Sequence, residues 1–484
     1  MVREGVKMKR SVKVNYIYNL IYKLLMIILP FVTIPYVSRV LNPDGVGAFN
    51  YTNSVALIFT MVASLGTTLY AQKEIAFAKD DVESRTKVFK SILAIRVIST
   101  LIVTIPYVIL AILSKQYRWL YAVQYIFVLA NMLDISWLLQ GIEDFKNIAL
   151  RGIVVKILTV LSIFIFVKEK DDLIIYALIS GLASLFNSAI LWMFIKDILT
   201  KVKITKKDVV KHIKPVLLLA LPVMAIYVYT YVDKVFLRIL STEEEVGFYS
   251  QAENIVKTAM TIVTSLGVVL LPRISSLISS KKWNEVKVYV LKAIKFVMVV
   301  GLPMVMGMAL VSPLFVPWFL GEDFEPCIFL LSLLSPLTVI IGLAAVTGQA
   351  VLIPLEKQKI YTASIFIGAF LNIIINSLLI PRYGAIGASI GTLAAELTVT
   401  TIQEYVVFKE IKITIWEVIC DNVKAIIATI IMGVILYFVR RYFEVSILST
   451  VIYALVGTLI YGLSLLIMKE KTLYDIVGML KLKK

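Results

Sequence analysis

The sequence predicts an all-helical integral membrane protein of fourteen transmembrane helices, built as two six-helix bundles followed by two further helices. Three observations predict it. Of 484 residues, 60% are hydrophobic and only 17% charged, where soluble domains carry roughly 25% charged residues, and the mean hydropathy is +0.89. The apolar residues gather in runs of about 20, the length that spans a bilayer. The basic residues concentrate in every second connection between those runs. This composition excludes a water-soluble enzyme, a disordered chain, collagen and a disulfide scaffold.

The apolar segments are 15–38, 46–70, 88–113, 118–140, 148–167, 173–195, 213–239, 246–271, 288–311, 326–352, 360–380, 382–408, 418–439 and 446–468. Arg151 and Lys156 interrupt the fifth, and Pro381 divides the eleventh from the twelfth. With the N-terminus inside, the inside connections and termini hold 33 of the 49 Lys and Arg and the outside connections nine. That asymmetry sets both termini in the cytoplasm and requires an even number of helices. The net charge of +17 is then a mark of membrane orientation, and no nucleic-acid partner is expected. Cys327 and Cys420 fall on opposite sides of the membrane and are not expected to pair. The basic N-terminus (Arg3, Lys7, Lys9, Arg10, Lys13) leads into a long segment rather than a short apolar core with a cleavage site. The first segment is therefore expected to remain a helix.

A faint repeat runs through the chain. Val46-Gly47-Ala48-Phe49-Asn50 resembles Val246-Gly247-Phe248-Tyr249-Ser250. Ser64-Leu65-Gly66 with Leu69 resembles Ser265-Leu266-Gly267 with Leu270, and Leu29-Pro30 matches Leu221-Pro222. Six helices separate the copies, so both keep the same orientation, as in a parallel repeat about an axis along the membrane normal. The implied divisions are 1–200, 201–411 and 412–484. Between them, Ile198, Leu199, Val202, Val209, Val210 and Ile213 interleave with lysines, which suggests a helix lying on the membrane surface. A solvated basic loop is the alternative.

Enzyme motifs are absent. The single histidine, His212, sits in that basic loop, and no phosphate-cradling glycine loop or metal-type cysteine spacing occurs. Charges inside the helices carry the information, because a lone charge in lipid is costly. Lys257 lies about 16 Å into the eighth segment at about 1.5 Å per residue, too deep to snorkel easily. Glu253, four residues earlier, can pair with it, and Asn254, Thr258, Thr261 and Ser265 continue a polar stripe. A structural ion pair is the other reading of Glu253 and Lys257. In the seventh segment Tyr227, Tyr231, Lys234 and Arg238 share a face, with Asp233 beside it. Aromatic rings and cations suit sugar stacking and anion attraction; an interfacial anchor belt is the alternative. Asn19 and Lys23 lie together in the first segment, and Asn50, Asn53 and Ser54 form a polar patch in the second. The twelfth carries Thr392, Glu396, Thr400 and Gln403, with Glu396 near mid-membrane. Arg96, Lys156, Lys295 and Asp134 are shallower, which favours snorkelling or helix packing. The excess of bases in the first, third, seventh and eighth segments suggests a cationic cavity that attracts an anionic head group.

Pro35-Tyr36-Val37-Ser38-Arg39-Val40-Leu41 with Val46-Gly47, Asp233-Lys234-Val235-Phe236-Leu237 with Val246-Gly247-Phe248-Tyr249-Ser250, and Pro381-Arg382-Tyr383-Gly384-Ala385-Ile386-Gly387-Ala388 together resemble the Wzx-type polysaccharide repeat-unit flippases. These belong to the multidrug/oligosaccharidyl-lipid/polysaccharide (MOP) exporter superfamily. The resemblance implies a MATE-like fold of two six-helix bundles around a central cavity. It also implies transport of undecaprenyl-pyrophosphate-linked oligosaccharide from the inner to the outer leaflet of the bacterial cytoplasmic membrane. Arg39 and Asp233 stand at motif positions of that family.

The combined expectation is a flippase working by alternating access and not an enzyme. Lys23, Lys234 and Lys257 would hold the pyrophosphate of the substrate, and Asn50, Asn53, Tyr227 and Tyr231 would contact its sugars; Arg39 is a further substrate-binding candidate, with helix-end packing or gating as the alternative for its motif. Asp233, Glu253 or Glu396 would bind a coupling H⁺ or Na⁺; no other cofactor and no metal is expected. Partners are the lipid-linked oligosaccharide, membrane lipids and, in the same pathway, a polysaccharide polymerase and glycosyltransferases. The rival is a multidrug or cation antiporter of the same superfamily, which the lysines disfavour. A sugar-joining membrane enzyme would need a larger outside domain than these short connections provide.

Overall fold

In lipid every backbone N–H and C=O must find its partner within the chain, and uninterrupted apolar runs do so as helices. The computed structural model describes residues 12–196 and 198–470; side chains are described from 29 onward, except at 219, 221–223, 225, 226, 228, 229 and 266–269. Every described element is helical. The first half holds α1 (Val12–Ser64), α2 (Thr67–Phe77), α3 (Val82–Leu113), α4 (Arg118–Leu133), α5 (Ser136–Gly141), α6 (Phe145–Phe166) and α7 (Leu173–Ala189). The second holds α8 (Lys206–Leu240), α9 (Glu243–Ser279), α10 (Trp283–Phe319), α11 (Cys327–Leu334), α12 (Leu337–Ala344), α13 (Gln358–Ile411), α14 (Ile415–Val439) and α15 (Ile447–Ile467). A π-helical turn, Ala345–Leu352, extends α12. Among the described residues, eleven helical stretches are long and apolar enough to cross a membrane.

Two of these stretches are broken, at Asn42 (φ 56°, ψ 174°) in α1 and at Gly384 (φ 50°, ψ −127°) in α13. The sequence placed the second break at Pro381. Proline still has a helical φ, whereas the backbone at residue 384 takes a conformation in which a side chain is strained. The segment after the break folds back along the segment before it. A Cβ at Gly387 would lie 2.6 Å from the Leu379 carbonyl carbon, one at Gly391 would strike Asn376, and one at Gly368 would strike Val399. As one partner's number rises the other's falls in step, which is the register of an antiparallel helix pair. Small residues let such backbones approach. Glu245 in the first turn of α9 clamps the break: its Oε2 accepts the Ala385 N–H at 2.6 Å. A carboxylate there satisfies an orphan donor at a helix N-terminus and complements its dipole.

The chain forms two compact units, one of residues up to Gly45 with Phe49–Tyr231 and one of Val46–Ala48 with the chain from Val232 on. In the first, Ile75, Phe89, Ile92, Trp137 and Leu138 form a buried core. Arg96 does not snorkel: it is 1% exposed and donates to the Asp134 carbonyl at 2.5 Å, Asn131 Oδ1 at 3.0 Å and Thr68 Oγ1 at 3.1 Å. A guanidinium presents several donors in a fixed fork, and packing supplies the acceptors that water would have given. Neither reading of the basic stretch, a surface helix or a solvated loop, describes the residues seen there. Residues 199–205 are non-helical, Ile198 and Leu199 pack on the core, and Arg85 and Lys90 hold the Ile198 and Val202 carbonyls at 2.6 and 2.7 Å. Residues from Lys206 on belong to the long α8. His212 is buried there rather than in a loop, its Nδ1 2.8 Å from the Tyr70 hydroxyl.

In the second unit α14 and α15 pack on α10 through Val299, Leu314, Met432, Leu436, Tyr453 and Leu465. Tyr461 donates to the Val299 carbonyl at 2.6 Å, and Lys295 pairs with Glu470 at 2.6 Å instead of reaching water.

Gly384→Ala should destabilise the protein by about 1–3 kcal/mol, the usual cost of a residue held in a sparsely populated backbone region. Unfolding in detergent would measure it. Gly462→Ala, where an added Cβ meets nothing within 4 Å, should leave stability unchanged or slightly raised.

Candidate functional site

Two adjoining polar clusters lie in the second unit, and helical spacing builds both. Tyr249 and Glu253 are one turn apart on α9, as are Asn372 and Asn376 before the break in α13, and Ala388 and Thr392 after it. Asp233 and Lys234 are neighbours on α8.

Asp233, 2% exposed, is the centre of the first cluster. Its Oδ2 accepts from the Tyr249 hydroxyl at 2.9 Å and faces the Thr392 hydroxyl at 2.7 Å; its Oδ1 accepts from Asn376 Nδ2 at 2.6 Å. Asn376 Nδ2 also donates to Asn372 Oδ1 at 3.0 Å. Bonds to a charged group are each worth about 1.5–3 kcal/mol, so three of them offset a desolvation cost of several kcal/mol per ion. The satisfaction is incomplete on both the donor and the acceptor side, for the Asn372 Nδ2 is buried without an acceptor. Asn376 Oδ1 is buried without a donor. The single Thr392 proton cannot serve both Asp233 and the Ala388 carbonyl, which lies 3.0 Å from the same hydroxyl. Asn376 thus turns its amide nitrogen to Asp233 and Asn372 and its oxygen toward Gly391.

In the second cluster Glu253 stands between two lysines, Lys234 at 3.0 Å and Lys257 at 2.6 Å. The side chains of Lys234 and Glu253 are 8% and 5% exposed, that of Lys257 38%. Lys234 is taken up by the acid; Lys257 shares the acid and still reaches the surface. The stripe continues from Lys257 through exposed Thr261 and Ser265. Their hydroxyls donate to the Thr258 and Ile262 carbonyls of their own helix, which makes them tolerable in an apolar setting. With Glu253 and Asp233 beside them, the two lysines do not form an uncompensated positive patch.

The other expected residues are dispersed. The Tyr227 and Tyr231 rings lie 5.7 Å apart, with Tyr227 exposed and Tyr231 half-buried. Arg39 is exposed just before the Asn42 break, and Asn50 and Asn53 are half-buried, the Asn53 side-chain oxygen without a donor. Glu396 follows Thr392 by one turn, half-buried and within electrostatic reach of Tyr361. The Lys23 side chain lies outside the described residues. Sequence reasoning passed over Asn372, Asn376, Tyr249 and Glu245. Two asparagines four apart in an apolar run were the available signal, outweighed by the charges elsewhere.

The model of the family described as polysaccharide biosynthesis protein matches residues 12–278. The chain belongs to this family. A protein of Escherichia coli (strain K12) provisionally named an O-antigen transporter is 24% identical over 82% of this chain and 96% of its own length. A capsular polysaccharide biosynthesis protein, CapF, of Staphylococcus aureus is 21% identical over 82% of this chain and 99% of its own. Among solved structures, the lipid II flippase MurJ in an inward closed conformation superposes with a TM-score of 0.72 at 16% identity, covering 96% of this chain and all of that one. An inward-facing MATE-family multidrug transporter of the MOP superfamily gives 0.60 at 16% identity, covering 80% and 98%. The MOP fold and the Wzx-type resemblance read from the sequence both stand.

Glu253→Gln should destabilise the protein by about 3–5 kcal/mol, the cost of removing one partner of a buried ion pair. Adding Lys234→Met should recover much of that loss. A double-mutant cycle read by unfolding in detergent checks it; simple additivity of the two changes would contradict the coupling.

Proposed function

We propose that this protein is a flippase, a transporter and not an enzyme. It carries undecaprenyl-pyrophosphate-linked oligosaccharide repeat units from the inner to the outer leaflet of the bacterial cytoplasmic membrane by alternating access. Membership of the polysaccharide biosynthesis family and the names of its relatives support the class of cargo. Counting each broken stretch as two spans and adding α8 raises eleven spans to fourteen, which supports two six-helix bundles with α14 and α15 as the additional pair. The positive-inside asymmetry supports cytoplasmic termini.

The observation that carries the reading is Lys257. It is a cation deep in the membrane span, anchored on one side by Glu253 and exposed on the other at the head of a polar stripe. A cation held this way, its side chain 38% exposed, would meet an anionic pyrophosphate from a position that Glu253 already fixes. Lys234 sets the position of Glu253 and thereby that of Lys257. Half-exposed aromatic and amide side chains, Tyr231, Asn50 and Asn53, suit the sugars.

The Asp233 cluster is the coupling site in this reading. Na⁺ is a hard cation that takes oxygen ligands, and it would bind here with the Asn376 amide turned so that its oxygen replaces the nitrogen that now faces Asp233. Asp233, Asn372, Asn376, Thr392 and the Ala388 carbonyl would hold it, and the donorless Asn376 oxygen supports that use. The ion supplies positive charge next to Asp233; the residues orient the oxygens and exclude water.

In proteoliposomes, Lys257→Gln should lower flipping of an undecaprenyl-pyrophosphate-linked sugar about ten-fold or more, one charge-assisted hydrogen bond's worth, while Lys257→Arg retains most activity. Unchanged flipping by Lys257→Gln would remove the site from the mechanism. Asp233→Asn should abolish any dependence of flipping on a sodium gradient. A sodium response equal to that of the unaltered protein would exclude Asp233 as the coupling acid.

A further inference from the structure

The lysine-rich stretch that failed to form a surface helix carries a site that the transport reading leaves unused. Between 201 and 214 stand Lys201, Lys203, Lys206, Lys207, Lys211 and Lys214 against one acid, Asp208. Asp208 is engaged at the start of α8, where it accepts from the Thr205 N–H and hydroxyl at 2.8 and 2.7 Å while its own N–H donates to the Thr205 hydroxyl at 3.4 Å, a reciprocal cap that fixes the helix start; its other oxygen lies 3.9 Å from the Lys211 ammonium, an exposed and long ion pair. The cap and the carbonyl anchors on Ile198 and Val202 hold the basic segment in one place. Lys207, Lys211 and Lys214 then recur at i, i+4 and i+7, one exposed face of α8.

Directly beyond that face lies an apolar groove of about 490 Å³, walled by Leu65 on one side and by Val210, Ile213, Leu217 and Leu218 of α8 on the other, with Lys214 at its rim. That volume is within the range of small-ligand sites. Val210, Ile213, Leu217 and Leu218 are exposed. A ligand filling this place needs an apolar tail to lie along α8 and an anionic head at the level of Lys207 to Lys214. Clusters of four to eight basic residues at the membrane edge of a helix meet those two demands together for anionic lipids.

We propose that the inner end of α8 is a binding site for an anionic glycerophospholipid of the leaflet it faces, with the phosphate held by Lys207, Lys211 and Lys214 and an acyl chain lying in the groove against Leu65, Ile213 and Leu217. The occupant is a resident lipid rather than the transported one. Charge complementarity selects it: a zwitterionic head brings an ammonium among three lysines, whereas a phosphatidylglycerol head brings only negative charge. The site uses none of the residues assigned to transport, so it stands or falls separately from that reading.

Native mass spectrometry of the full chain in detergent, titrated with phosphatidylglycerol or phosphatidylcholine, tests this. At equal lipid concentration the phosphatidylglycerol adduct should be at least ten-fold more populated. The variant Lys207→Gln, Lys211→Gln, Lys214→Gln should bring it within two-fold of phosphatidylcholine. Lys281→Gln with Lys282→Gln, in the basic α9–α10 connection, should change nothing. Unfolding in lipid-free detergent should be the same for all three proteins, which separates lost binding from lost fold. Equal binding of the two lipids would overturn the proposal. So would an equal loss in the Lys281/Lys282 variant, which would mean bulk charge alone. Preferential displacement of phosphatidylglycerol by undecaprenyl pyrophosphate would overturn it too, by giving the groove to the cargo.

Discussion

A carboxylate buried in a membrane-spanning bundle survives only if cations or donors surround it, and in this protein Glu253 meets that condition with two lysines at once. The arrangement has a consequence for each partner. Lys234 spends its charge on Glu253 and becomes part of the packing between α8 and α9. Lys257, on the same helix as the acid, is only half spent. The acid holds its ammonium in place, and the side chain remains 38% exposed. Remove the acid and two like charges face each other; keep it and both lysines are held by one carboxylate. The neighbouring Asp233 follows the same rule with neutral donors, drawn from α9 and from both halves of α13.

Those donors come from both halves because α13 is broken. Gly384 lets the chain reverse, the glycines beyond it let the two halves touch, and Glu245 satisfies the new helix end. Asn376 before the break and Thr392 after it therefore reach the same carboxylate from opposite directions. The sequence repeat acquires a structural meaning here. Asn42 in α1 and Thr242 between α8 and α9 are equivalent by the repeat offset. Asn42 breaks its helix with a positive φ, and Thr242 starts the next by capping Glu245. Each copy thus carries an interruption just before its Val-Gly pair.

Much of this was legible beforehand. Segment limits such as 446–468 against the observed Ile447–Ile467 follow from hydropathy alone, because lipid enforces helices on apolar runs. The Glu253–Lys257 pair was legible because i, i+4 spacing is intrinsic to a helix. What could not be read was tertiary. Between snorkelling and helix packing for Arg96 the sequence could not choose, because its acceptors, Thr68 of α2 and Asn131 and the Asp134 carbonyl at the end of α4, are brought together only by the fold. The lysine-rich segment looked amphipathic, yet Ile198 and Leu199 had a core to enter and Arg85 and Lys90 to hold their backbone. Asn372 and Asn376 were passed over because an amide carries no charge to announce its burial; only the approach of α8 shows that they serve Asp233.

The central claim is that Lys257 meets water in the middle of the membrane while Lys234 does not. Single Lys257→Cys and Lys234→Cys variants, in a background of Cys327→Ser and Cys420→Ser, would test it in membrane vesicles against a charged, membrane-impermeant thiol reagent and a lipid-soluble one. The account predicts that the charged reagent modifies position 257 readily and position 234 slowly or not at all. Modification of position 257 by the lipid-soluble reagent alone would put that side chain against acyl chains and contradict the account.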